Sequence, residues 1–233
     1  MGQAAGIVLE PMIVELFPPQ VVTVVATEAM WSARLHPQEE ACVAGATAKR
    51  RREFAAGRAC ARSALTRLGW PSAPLGRNED RTPRWPAGVV GCISHCTGYC
   101  AAAVARQESV AGLGLDVEVI GRVRPVLLPR ICSVAERDAL LRLGRAPGQG
   151  AIDWATVLFC AKESTYKCYY PLTRVPLGFH DVEIELAPAQ RAFTARLLRA
   201  DAPSAAGARV FSGYYASDGK RVFSAVTLRP RPA

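Results

Sequence analysis

Apolar positions recur along this chain with two different periods. Short β-branched runs and period-2 alternation predict strands over 21–26, 89–94, 99–105 and 112–120. The stretch 181–229 alternates in the same way, through Val182, Ile184 and Leu186, then Phe193, Ala195 and Leu197, then Val222, Phe223, Ala225 and Thr227. Helical spacing instead links Phe54, Ala61, Leu65 and Leu68, so one amphipathic helix should run from Lys49 to a stop near Gly69 and Pro71. A second helix is expected around 135–143, and a third from Trp154 to about Pro171. Pro37-Gln38-Glu39-Glu40 reads as a helix start, with proline near its first position and acids in the first turn.

Turn-forming residues separate these elements. Residues 1–20 read as a loose arm closed by Pro18-Pro19, and 71–88 as a proline- and glycine-rich loop carrying Arg77, Arg81 and Arg84. Ser94-His95-Cys96-Thr97-Gly98 is expected to be the polar turn between two strands, and 144–150 a further loop. Each half of the chain therefore offers a helix with several strands, and the acid-bearing strand 112–120 opens the second half. Two similar α+β lobes, 1–112 and 113–233, with a cleft between them fit this order; a single mixed sheet fits the pattern as well.

Charge changes the picture more than composition does. Half of the 233 residues are apolar, which predicts an ordered globular chain, and the net charge is +9. That balance points to a polyanionic partner: nucleic acid, a phosphorylated cofactor or an acidic protein. The eight cysteines form no C-x-x-C pair and no zinc-like set, and neither a signal-peptide pattern nor a membrane-length apolar run is present. Free thiols in a reducing cytoplasm are the expected state.

The candidate chemistry gathers on two elements. Period-2 geometry sends Asp116 and Glu118 to one side of the strand Gly112-Leu113-Gly114-Leu115-Asp116-Val117-Glu118. On the helix Phe159-Cys160-Ala161-Lys162-Glu163-Ser164-Thr165-Tyr166-Lys167, Glu163 and Lys167 are four apart and share a face. Three carboxylates on two elements suit a hard cation such as Mg²⁺, which binds a few carboxylates and fills its octahedron with water and phosphate. Gly112-x-Gly114 lacks the third glycine and the following helix of a dinucleotide fingerprint. Ser94 lacks a G-x-S-x-G context, so nothing local makes it a nucleophile. A metal-dependent nuclease is a minor reading of the same acids.

These motifs together resemble the 4′-phosphopantetheinyl transferases of the Sfp/EntD type, closest to the actinobacterial and siderophore-associated branch. Gly114-x-Asp116-x-Glu118 and Phe159-Cys160-x-Lys162-Glu163-x-x-x-Lys167 match the family signature. Upstream, Ile93-Ser94-His95-Cys96-x-Gly98-Tyr99 resembles its Ser-His motif, Pro83-x-Trp85-Pro86 the loop before it, and Arg50-Arg51-Arg52-Glu53-Phe54-x-x-Gly57-Arg58 its basic helix. The five motifs lie in family order across about two thirds of the chain.

The resemblance implies a pseudodimer of two α+β lobes with the active site and coenzyme A in the cleft. It implies that Asp116, Glu118 and Glu163 hold Mg²⁺ against the pyrophosphate, and that Lys162 and Lys167 contact phosphate or pantetheine. Ser94 and His95, with Arg50, Arg58 and Arg77, would bind the 3′-phosphate and adenine end; Arg81 could replace Arg77. A serine hydroxyl of an apo acyl or peptidyl carrier protein would attack the β-phosphorus, with Glu163 taking its proton and Lys167 stabilising developing charge. The expected partners are coenzyme A and acidic carrier proteins, with no nucleic acid and no membrane, and the expected state is a cytoplasmic monomer. A non-catalytic coenzyme A- or carrier-binding module is the alternative.

Overall fold

The computed structural model of the protein describes residues 11–148 and 152–230. The first lobe contains α1 (Pro11–Val14), β1 (Val22–Val25), α2 (Pro37–Glu40), the long helix α3 (Ala48–Arg67), β2 (Val89–Cys96) and β3 (Tyr99–Arg106). The second contains β4 (Gly112–Val119), α4 (Leu128–Ile131), α5 (Val134–Arg145), the long helix α6 (Trp154–Thr173), β5 (Val182–Ala187), β6 (Ala192–Leu197), β7 (Val210–Ser217) and β8 (Arg221–Leu228). The strands form two antiparallel sheets, β1-β3-β2 and β4-β8-β7-β6-β5. The mixed α+β, two-lobed arrangement expected from the sequence is what the chain adopts, and the single mixed sheet is not.

Each sheet buries one face under its own long helix. Cys60, Ala61, Ala64 and Leu65 of α3 pack on Val24, Ala102 and Val104, while Val157, Leu158, Ala161 and Tyr169 of α6 pack on Val182, Phe193, Phe211 and Val226. The other faces meet each other, with Ala101, Ala103 and Ala105 of β3 opposite Leu113, Leu115 and Val117 of β4 and Phe223 and Ala225 of β8. The two lobes therefore share an apolar seam in which β3 contributes small alanine side chains.

Several local expectations need correction. Residues 1–10 lie outside the described residues, but 11–17 are not a loose arm: Ile13, Leu16 and Phe17 are buried in the seam. Each such side chain stabilises by about 1.5–3 kcal/mol, which fixes a helix too short to form alone. Ser94 and His95 belong to β2 and not to a turn. The ladder continues through His95↔Cys100 to Cys96↔Tyr99, leaving only Thr97-Gly98 as the connection. Helix α6 continues to Thr173, with Pro171 inside its last turn. Strand β7 adds a set that the three alternating groups did not include.

Candidate active site at the junction of the two lobes

The site exists because α6 lies almost against the backbone of β4. A methyl group on Gly114 would collide with the Ser164 carbonyl, and one on Gly112 would meet Leu172 and Cys168. The glycines, Asp116 and Glu118 alternate onto one strand face, while Leu113, Leu115 and Val117 enter the seam. The same absence of side chains that admits α6 therefore brings its Glu163 and Lys167 to the two acids. Ser224 of β8 pins the helix, donating to the Cys160 carbonyl at 2.7 Å and bonding Ser164 at 2.9 Å. Asp153 caps α6 through Thr156 N at 3.1 Å and also accepts from Gly121 N at 2.7 Å, tying the helix to the turn after β4.

The first lobe enters this constellation through Ser94. Its Oγ accepts from Val117 N at 3.2 Å and lies 3.1 Å from Asp116 Oδ1. Lys167 Nζ reaches both, at 2.6 Å from Asp116 Oδ1 and 3.2 Å from Ser94 Oγ. Burial pulls the Lys167 ammonium down, but the Asp116 carboxylate, with Cys92 and Glu163, outweighs it and leaves the pKa raised.

The donor set around Asp116 has the chemistry of a divalent-cation site. Asp116 Oδ2 is buried with no hydrogen-bond partner, an arrangement that is expensive for a carboxylate oxygen. Burial, reinforced by the Asp116 charge, raises Glu118 to about 7 and also raises Glu163. Arg122, 3.4 Å from Glu118, compensates only part of this negative charge. Among the described residues no three acids, histidines or cysteines already converge as a metal cage, and Lys167 occupies one Asp116 oxygen. Hard oxygen donors, an orphan carboxylate oxygen and uncompensated charge fit Mg²⁺ held by one or two carboxylates, with water and phosphate completing its shell.

A second polar cluster sits where β2 passes the start of α3. Arg50 and His95 Nε2 are 2.7 Å apart, and Glu53, a residue the sequence argument did not assign to the site, stands 3.7 Å from Arg50 and 3.8 Å from His95 Nδ1. Burial lowers the His95 pKa, with Glu53 opposing the shift and Arg50 adding to it. Gly57 permits this packing, since a methyl there would press on Ile93.

Two expected phosphate ligands are engaged elsewhere. Arg58 is buried, stacks on Phe54 at 4.2 Å and donates to the carbonyls of Leu75 (2.7 Å) and Gly76 (3.3 Å), anchoring the loop that carries Arg77. Lys162 is also buried and gives its ammonium to Glu136 and two backbone carbonyls. Neither projects freely into the cleft. Arg77 is exposed on its loop, which is joined to α6 by an Asp80–Arg174 ion pair of 2.6 Å. Between loop and helix lies a cavity of about 490 Å³ reaching Lys167, with Trp85, Tyr166 and Tyr170 in its walls.

The eight cysteines are free thiols, and no described helix is long and apolar enough to cross a membrane.

Comparison with known proteins agrees with this geometry. A family model described as the 4′-phosphopantetheinyl transferase N-terminal domain matches residues 38–105, and one described as the 4′-phosphopantetheinyl transferase superfamily matches 112–220. The 4′-phosphopantetheinyl transferase Svp of Streptomyces mobaraensis is 41% identical, over 83% of this chain and 78% of that one. PptT of Mycobacterium tuberculosis is 40% identical over 70% of each chain, and Npt of Nocardia iowensis 38% over 74% of this chain and 76% of that one. The chain therefore belongs to the 4′-phosphopantetheinyl transferase superfamily, and is an enzyme that transfers phosphopantetheine to carrier proteins.

Proposed function

We propose that the donor is coenzyme A, bound across the junction of the lobes, and that transfer to a carrier serine depends on Mg²⁺. The observation that carries this reading is the meeting of Ser94, Asp116 and Lys167 beside the orphan Asp116 oxygen. In this reading residues 1–112 receive the 3′-phosphate and adenine end through Arg50, His95 and Arg77, and residues 113–233 supply the reacting end. Asp116, Glu118 and Glu163 are the candidate metal ligands. Bound there, Mg²⁺ would neutralise pyrophosphate charge and favour departure of 3′,5′-ADP.

The chain's own groups perform the remaining work. Lys167, held by Asp116 and Ser94, presents its ammonium to the pyrophosphate, where negative charge grows during transfer. Glu163 takes the proton of the attacking carrier serine as its oxygen closes on the β-phosphorus. In the metal-free chain, burial and the Asp116 charge raise the Glu163 pKa above that of an exposed glutamate. Carrier proteins of acidic character would be steered by the net charge of +9.

One chain supplies both walls of the junction, which supports a monomer, and eight free thiols suit a reducing cytoplasm. Chelation tests the metal requirement: transfer followed by intact mass should stop with EDTA and return with Mg²⁺. Transfer unaffected by the chelator would rule the metal out.

A further inference from the structure

Lys162 stands next to Glu163 in the chain, yet its ammonium points into the second lobe. It is 3% exposed, and its three N–H groups match three acceptors: Glu136 Oε2 at 2.8 Å, the Phe179 carbonyl at 2.6 Å and the Val182 carbonyl at 2.9 Å. An ammonium has three donors, so none remains for a phosphate. Glu136 is equally occupied. Oε2 also accepts from Ser133 N at 2.7 Å, closing a capping box at the start of α5, and Oε1 accepts from Ile184 N at 2.8 Å on β5. One buried pair thus joins α5, α6, the 178–182 segment and the edge strand β5.

This pair also shapes the site. A pocket of about 220 Å³ opens beside Glu163, walled by Tyr166, Leu177, Gly178, Phe179 and Val182 and by Lys162, whose ammonium is turned to the three acceptors. The Phe179 carbonyl held by Lys162 fixes that wall, and the Phe179 ring packs on Phe159 of α6 at 5.7 Å.

We infer that Lys162 is a positioning residue, which with Glu136 locks the pocket wall against the helix that carries Glu163 and makes no contact with substrate. The inference rests on the phosphopantetheinyl-transfer reading of the site.

The test compares Lys162→Met with the double variant Lys162→Met/Glu136→Gln, measuring thermal stability, coenzyme A affinity and kcat. The single variant strands a buried carboxylate, so its Tm should fall by about 10 °C and its kcat should drop. Replacing Glu136 as well removes that charge, and should recover most of the Tm and raise kcat above the single variant. Coenzyme A affinity of the double variant should stay within about threefold of the parent, less than the loss of one charged hydrogen bond. A phosphate ligand would behave differently, because changing Glu136 could not replace a contact made by Lys162. A double variant with parental Tm but affinity weakened tenfold or more would overturn the inference, as would a single variant with parental Tm and kcat. The stability comparison needs no turnover, so it stands apart from any failure of the parent to use coenzyme A.

Discussion

Lys167 Nζ lies 2.6 Å from one oxygen of Asp116, while the other oxygen of that carboxylate is buried without a partner. The two residues come from α6 and β4, so the contact depends on the packing of helix on strand. It leaves the carboxylate half satisfied, with one oxygen paired by the chain and the other without a hydrogen-bond partner. Lys167→Met should destabilise the protein by about 3–5 kcal/mol by stranding the Asp116 charge. Lys167→Met/Asp116→Asn should recover stability but not turnover, with kcat reduced by about 10²–10³-fold, since the proposed reading has both groups act at the pyrophosphate. Denaturant melts alongside carrier-transfer rates separate the two effects. Recovery of both would make the pair structural only.

The close approach of β4 and α6 gives a second expectation. Gly114→Ala places a methyl against the Ser164 carbonyl, and backbone cannot rotate away as a side chain can. Destabilisation of at least about 3 kcal/mol is expected, with poor soluble yield. Ser212→Ala, on an exposed strand position, is the control and should stay within about 0.5 kcal/mol. Thermal melts of the two proteins decide.

The acidic cluster makes stability depend on pH and on metal. Glu118 is raised from an ordinary value near 4.5 to about 7, and Glu163 is raised as well. Between those values the folded form holds more protons than the unfolded chain, so metal-free stability should fall as pH rises from about 4.5 through about 7. Mg²⁺ bound at these acids, as proposed, would compete with those protons. It should therefore raise Tm clearly at about pH 8 and little at about pH 5. Scanning fluorimetry across pH with and without Mg²⁺ reads this directly. An equal shift at both ends would place the ion elsewhere.

Arg50 and His95 offer a separate test of the first lobe. If they receive the 3′-phosphate, Arg50→Ala should raise KM for coenzyme A by about 10- to 100-fold, the range expected for one charged hydrogen bond. With dephospho-coenzyme A, which lacks that phosphate, the same substitution should change KM by less than about threefold. Steady-state kinetics with the two donors provides the comparison, and an equal loss with both would remove Arg50 from the 3′-phosphate.

Much of this architecture was legible from periodicity and spacing. The alternation in 112–120 and the four-residue step from Glu163 to Lys167 carry enough information to bring acids and lysine to one place. What was lost depends on distant partners. Nothing in Lys162 itself says that Glu136, on α5, will hold it inside, and nothing in Arg58 announces the Leu75 carbonyl. A basic residue in a motif reads the same whether it faces a ligand or a buried acceptor. Ser94 and His95 look like turn residues because they are polar and precede Thr97-Gly98, but the ladder to β3 overrides that local preference. Ile13, Leu16 and Phe17 lacked a recognisable period because their segment is a short plug in the seam between the sheets.

The most direct test of the central claim is an intact-mass assay of the parent protein and Glu163→Gln side by side. Each is incubated with coenzyme A, Mg²⁺ and an apo carrier protein. The parent should add one phosphopantetheine to the carrier, while Glu163→Gln should slow the transfer by about 10²–10⁴-fold, the range associated with a positioned base. Equal transfer by the two proteins would contradict the assignment of Glu163, and no mass gain by the parent with several unrelated carriers would contradict the account as a whole.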